Sequence, residues 1–336
     1  MTGTSKARYE NVIIVSRNTE LDDLVARFNT QAQTKFYLEQ AGQSFERIQK
    51  AHDVHYRVLA QVRKAIGKTS KHQVIGREML PRFTFGPDDL VVTVGQDGLV
   101  SNTAKYLTEQ QQPILAVNPD PDLFDGVLLP FDASNVNANL AKALRGEHHI
   151  NPVTLAMARS TDGQELLAFN DFFVGANSHV SARYEIEVGE KQETHSSSGI
   201  IISTGAGSTG WLRSVYAGAV GVVEALGGTV TEPEGGLRIP WDANYLMYSV
   251  REPFPSRATQ CSLVHGSFDD ERPLKVTSRM ASNGVIFSDG IESDYLEFNS
   301  GAELTITTAP QQAHLITLPV GAGPPVKRDR GARDPQ

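Results

Sequence analysis

Three short runs of apolar β-formers, Asn11–Ser16, Leu90–Val94 and Ile114–Val117, alternate with stretches of helical periodicity, and this restricts the first third of the chain to one class of fold. Leu21, Leu24, Val25 and Phe28 recur at three- and four-residue spacing, as do Val54, Val58, Val62 and Ile66. Phe36–Phe45 reads as helix plus turn, with Gly42 as a break, and residues 99–110 as a helix with Asn102 and Thr103 near its start. Asp132–Leu144 reads as a helix leading to the next domain. Strand–helix alternation of this kind predicts an α/β domain over residues 1–130, a parallel sheet covered by helices.

The grammar then changes. Arg183–Val188 alternates strictly, with Tyr184, Ile186 and Val188 on one face and Arg183, Glu185 and Glu187 on the other, the period of a half-buried strand. Similar strands fit 152–159, 164–169, 246–250, 273–279, 284–288, 295–298 and 303–307. One helix interrupts them, with Leu212, Val215, Tyr216, Ala219, Val220, Val223 and Leu226 expected to face inward. A predominantly β domain with an embedded helix is expected over 131–318, followed by a Gly/Pro-rich flexible tail at 319–336.

Composition removes several classes of function. No apolar run approaches the length of a membrane-spanning helix. With one cysteine among 336 residues, Cys261, no intrachain disulfide can form and no CxxC zinc site exists. A reducing, cytoplasmic setting is the simplest expectation, because the N-terminus also lacks a long apolar leader. A net charge of -8 argues against a protein that coats nucleic acid. It leaves a small nucleotide open as substrate. His52 and His55 have no third ligand in sequence and are expected to be a surface pair, so no metal site is assigned.

Three segments carry candidate chemistry. In Gly95-Gln96-Asp97-Gly98 a buried strand runs into a tight turn and a helix, so Asp97 stands where open α/β sheets hold ligands. The alternative is an ordinary Asp-Gly turn. Thr204-Gly-Ala-Gly-Ser-Thr-Gly210 then Trp211 is a small-residue corner between strand and helix. Thr204, Ser208 and Thr209 carry hydroxyls, Gly205, Gly207 and Gly210 permit close approach, and the helix start can face phosphate. A close-packed corner without ligand is the competing reading. Asn170-Asp171 could hold ribose or a base edge, and is equally routine in turns. Asp289 in Ser-Asp-Gly reads as a hairpin turn residue, the alternative being metal or ribose contact.

In this order and spacing the segments resemble the NAD kinase family. Val91–Tyr106 resembles its GGDGT element, Phe169–Asp171 its Asn-Glu pair, and Thr204–Trp211 its T-x-T/S-G-S-T-A-Y stretch. The likeness is closest to the mitochondrial-type members, through Val117–Pro121, Ser181–Tyr184, Ser198-Gly199, Arg251–Pro253 and Asp289-Gly290, and spans about residues 10–318. It implies an α/β domain and a β-rich domain with the active site between them, and a homodimer or higher homo-oligomer. The implied reaction is Mg²⁺-assisted transfer of the ATP γ-phosphoryl to the adenosine ribose 2'-hydroxyl of NAD. Carried over by position, Asp97 activates that hydroxyl, Gly95, Gln96 and Gly98 flank the phosphates, and Asn170 and Asp171 hold the adenosine. Thr204, Gly205, Gly207, Ser208, Thr209, Gly210 and Trp211 form a second wall, and Arg183 reaches a phosphate. Departures are Gln96 for glycine, Leu99 for threonine, Asp171 for glutamate and Gly210-Trp211 for Ala-Tyr. They leave two alternatives, a catalytically weakened dinucleotide-binding or sensor protein and a related kinase acting on another hydroxyl such as a sugar's.

Overall fold

The first strand, β1 (Asn11–Ser16), is buried at every residue but its first, because helices cover both faces of the sheet it belongs to. The computed structural model describes residues 8–67, 70–107, 111–231, 238–291 and 295–318; the expected flexible tail at 319–336 lies outside these. The described residues of Met1–Val100, Pro113–Ile150 and Leu315–Gln336 form one compact unit, and those of Ser101–Gln112 and Asn151–His314 a second.

In the first unit β1 is followed by α1 (Glu20–Phe28), α2 (Gln31–Gln40), α3 (Phe45–Ile66), β2 (Lys71–Gly76), β3 (Asp89–Val94), α4 (Asp97–Ala104), β4 (Pro113–Asn118), β5 (Phe131–Asp132) and α5 (Val136–Leu144). The strands run parallel in the order β5-β4-β3-β1-β2. Thr19 starts α1 with a capping box to Asp22, and Ser44 caps α3. Val12 and Ile14 of β1, Val58, Val62 and Ile66 of α3, and Val136 and Leu140 of α5 share one apolar core. The stripe expected on α3 is the one buried. His55 departs from the expected surface pair: it is buried and bonds Ser16 Oγ through Nε2 at 2.9 Å, so burial lowers its pKa and keeps it neutral. His52 bonds Thr19 Oγ1 at 2.7 Å.

The remaining elements are β6 (His149–Ser160), β7 (Glu165–Ala168), β8 (Asp171–Ala176), β9 (Ala182–Val188), β10 (Lys191–Ser197), β11 (Ile200–Ser203), α6 (Trp211–Ala225), β12 (Leu246–Val250), β13 (His265–Phe268), β14 (Leu274–Ser278), β15 (Gly284–Ser288), β16 (Tyr295–Glu297) and β17 (Glu303–Thr317). In the second unit β10, β9, β14 and β17 run antiparallel in that order. A second antiparallel sheet has the order β13-β12-β11-β8-β15-β16. Phe172 and Val174 of β8, Tyr184 and Ile186 of β9, and Ile200 and Ile202 of β11 belong to one core. By alternation Asp171, Phe173 and Gly175 turn to the opposite face of β8. The expectation for α6 fails in part. Leu212 is buried, but Ala219, Val223 and Leu226 are exposed, Leu226 at 84%. The periodicity marked an apolar stripe correctly; among the described residues none of the second unit buries its far end.

Candidate functional site

In the first unit the chain leaves β3 and enters α4 at Asp97, at the C-terminal edge of the parallel sheet. Leu128 N–H donates to Asp97 Oδ1 at 2.7 Å, which ties the carboxylate to the segment ahead of β5. Burial raises its pKa above the ordinary value, the backbone N–H groups of Leu128 and Val127 pull it down, and nearby Asp125 adds to the rise. A carboxylate raised in pKa and held at the end of a strand is a stronger base than an ordinary aspartate, which suits proton abstraction. Leu99, where the resemblance expects threonine, packs buried beneath Gly95: a Cβ added there would stand 2.8 Å from Leu99 Cδ2. Gln96 is half-buried and its carbonyl accepts Leu99 N–H at 2.9 Å, a bond any residue's backbone would make, and nothing in the structure explains glutamine in place of glycine. Gly98 is exposed, with open space where a Cβ would be.

In the second unit Phe169 and Asn170 form the turn between β7 and β8, and Asp171 opens β8. Asp171 pairs with Ser203 across the β8–β11 ladder, which seats the turn against the small-residue corner. Thr204 N–H donates to Asn170 carbonyl at 2.9 Å and Thr204 Oγ1 to Phe169 carbonyl at 2.6 Å. Oδ1 of Asp171 is shut from solvent and lacks a hydrogen-bond partner among the described residues. Burial, with Asp289 close by, pushes the Asp171 pKa up to about 7, while the Ser203 hydroxyl works against the rise. An acceptor oxygen left unpaired in a native turn is a place where a donor from a ligand would be stabilising.

The corner itself differs from the expected phosphate cradle. Thr204 Oγ1 accepts Gly207 N–H at 3.2 Å as well as donating to Phe169, and Ser208 Oγ donates to Gly205 carbonyl at 2.7 Å while accepting Ile239 N–H. Both hydroxyls are buried, and the N–H groups of Gly207, Ser208 and Gly210 bond carbonyls or hydroxyls of the corner. Gly205 and Gly207 are required by packing: an added Cβ would lie 1.9 Å from Pro240 carbonyl oxygen and 2.2 Å from that of Asn170. Thr204, Gly205, Gly207 and Ser208 therefore shape the site from beneath. Thr209, half-buried, and Gly210 and Trp211, exposed, are its surface.

Trp211 opens α6 and stacks on Phe173, with centroids 5.9 Å apart at 13°, and Phe173 stacks on Phe287 at 5.2 Å. The Arg251 guanidinium lies over the indole, 5.6 Å from its centroid. These four residues, with His179 and Tyr295, line a cavity of about 620 Å³. Arg183 stands apart from this group, exposed on β9 in the other sheet of the unit. Sequence reasoning gave no role to Phe173, Arg251 or Lys105. Arg251 falls in the Arg-Glu-Pro stretch and Lys105 inside Val91–Tyr106, but one lysine near a helix end and an aromatic beside another in a buried strand look ordinary. Among the described residues no group of three or more His, Cys, Asp or Glu is arranged to hold a metal ion. None of the described helices is long and apolar enough to cross a membrane.

No protein-family model matches the sequence. Among curated proteins the chain is similar to a probable NADH kinase of Oryza sativa subsp. japonica, 26% identical over 253 residues, 66% of this chain and 71% of that protein. It is also similar to the mitochondrial NAD kinase 2 of Homo sapiens, 23% identical over 360 residues, 88% and 81% of the two chains. Among solved structures, yeast NADH kinase complexed with NADH matches with a TM-score of 0.59 at 14% identity, covering 96% of this chain and 89% of that one. An NAD kinase from Archaeoglobus fulgidus in complex with ATP matches at 0.54 and 16%, covering 91% and 93%. The α/β unit with a parallel sheet and the mostly antiparallel β unit are thus the fold of the NAD kinases.

Proposed function

We propose that this chain is an NAD kinase that transfers the γ-phosphoryl of ATP to the 2'-hydroxyl of the adenosine ribose of NAD. The observation that carries the reading is Asp97, retained at a strand end and raised in pKa by burial, in a chain with the NAD kinase fold. Phosphoryl transfer depends on positioning and charge neutralisation, with one group to orient and deprotonate the acceptor hydroxyl. Asp97 takes that proton, and its fixed Oδ1 sets the direction of the carboxylate. Asn170 and Asp171 hold the adenosine. Trp211 offers an aromatic face and Arg251 a positive charge beside it, a combination suited to a nucleotide ring and its phosphate.

Mg²⁺ would arrive on the ATP phosphates, which requires one or two carboxylates from the protein and no complete protein cage. Asp125, in electrostatic range of Asp97, would be the carboxylate for it, which leaves Asp97 to the acceptor proton. The ion would neutralise charge on the transferring phosphoryl group. The reading carries with it a homo-oligomer and a reducing compartment, the latter compatible with an exposed, unpaired Cys261.

The test is direct: purified protein with Mg-ATP and NAD should form NADP, and Asp97→Asn should abolish most turnover while NAD still binds. Binding of NAD without NADP formation by the unaltered protein would replace this reading with a dinucleotide sensor. Absence of both would point to a different acceptor hydroxyl.

A further inference from the structure

The Phe169–Asp171 turn is held from two sides. Its carbonyls at Phe169 and Asn170 accept from Thr204, and its N–H groups all point at one carboxylate, that of Asp289. Phe169 N–H donates to Oδ2 at 3.0 Å; Asn170 and Asp171 N–H donate to Oδ1 at 2.6 and 3.4 Å. Asp289 in turn donates its own N–H to Asp171 carbonyl at 2.9 Å, continuing the β8–β15 ladder by one rung. It adopts a left-handed conformation, φ 54°, which aspartate tolerates better than most residues, and this bends its side chain back over the turn. The side chain is wholly buried.

A buried carboxylate needs a counter-charge or it becomes a liability. Lys105, directly after α4, supplies it: Nζ donates to Ser288 Oγ at 2.7 Å and stands 3.7 Å from Asp289 Oδ2, with its side chain 6% exposed. The lysine thus neutralises the clamp while the clamp fixes the turn. With the turn's backbone committed to Asp289 and Thr204, its side chains Asn170 and Asp171 are the groups left for a ligand.

We propose that Asp289, neutralised by Lys105, is the positioning residue of the nucleotide-binding turn, setting the backbone from which Asn170 and Asp171 reach the adenosine. The proposal rests on the NAD kinase reading for the identity of the ligand; the clamp itself does not. Asp289→Asn keeps the shape but places an amide where three donors and an ammonium converge. Hydrogen exchange at the Phe169, Asn170 and Asp171 amides of the full chain is expected to accelerate at least about tenfold, while amides elsewhere in β8 and β11 keep their protection. In the same variant KM for NAD should rise about tenfold, with kcat within about threefold and KM for ATP unchanged, the split expected for lost ground-state positioning.

Should Asp289→Asn fail to fold, Lys105→Gln is expected to give the same pattern at smaller amplitude. The double variant Lys105→Gln/Asp289→Asn should then fold better than Asp289→Asn, because its buried charges balance. Unchanged exchange at the three amides, a uniform rise across the whole unit, or equal losses in both KM values would overturn the proposal. If the unaltered protein forms no NADP, the kinase reading falls alone, and the exchange measurement still decides whether Asp289 holds the turn.

Discussion

Asp97 and Asp171 are both carboxylates raised above their ordinary range, and the two shifts have different consequences. A base must be ionised to accept a proton, so kcat is expected to fall as pH drops through the raised Asp97 pKa. Asp97→Asn should lower kcat by about 10²–10⁴ and remove that limb of the pH profile, which steady-state rates on the acid side of the profile would show. For Asp171 the folded chain keeps a proton up to about pH 7, whereas the unfolded chain releases it near 3.8. Between those values the folded state binds more protons, so the contribution of this group to stability declines as pH rises across the window and is lowest above it. Asp171→Asn is therefore expected to melt higher than the parent at pH 8 and to converge with it toward pH 4, as thermal melts at both pH values would show. NAD affinity should move the other way in the parent, tightening as Asp171 ionises through about pH 7, and should stay flat in the variant; calorimetric titration at pH 6 and 8 separates these. The Asp97 turn was legible from four residues because strand, glycines and acid fall together. Asp289 was not: an Asp-Gly turn in sequence does not say which N–H groups its carboxylate will meet.

Among the elements, the strand–helix corner at 204–211 shows how a small-residue run divides between scaffold and surface. Gly205 and Gly207 lie against the Pro240 and Asn170 carbonyls, and backbone atoms cannot give way as a side chain can. Gly207→Ala is expected to cost at least about 2 kcal/mol in urea unfolding, whereas Leu226→Ser at the exposed end of α6 should stay within about 0.5 kcal/mol of the parent. The sequence displayed β9 clearly, since it is buried on one face and therefore alternates. It concealed β8 and β10 for opposite reasons. β8 is buried along both faces and loses its period, while β10, KQETHSS, is an edge strand with no apolar residue to reveal it. For α6 the period correctly located a stripe, but burial depends on what packs over it.

At the scale of the whole molecule, each unit has its own apolar core, so the two can respond differently to temperature and denaturant. NAD at about a hundred times its Kd is expected to add about 2.7 kcal/mol of stability to the parent and to Asp97→Asn alike, if Asp97 acts on the reaction and not on binding. Thermal shift with and without NAD checks this independently of turnover. The amino-acid sequence by itself determined the class of each unit, because periods of two and 3.6 follow from backbone geometry and apolar burial. It also marked Asp97, the Asn170-Asp171 pair and the corner as places where glycine and polar side chains interrupt that pattern. Only the tertiary structure decided which of those polar groups remain for a ligand. Hydrogen-bond partners such as Asp289 for Asn170, Lys105 for Asp289 and Phe169 for Thr204 come from distant stretches of chain, and burial sets their protonation.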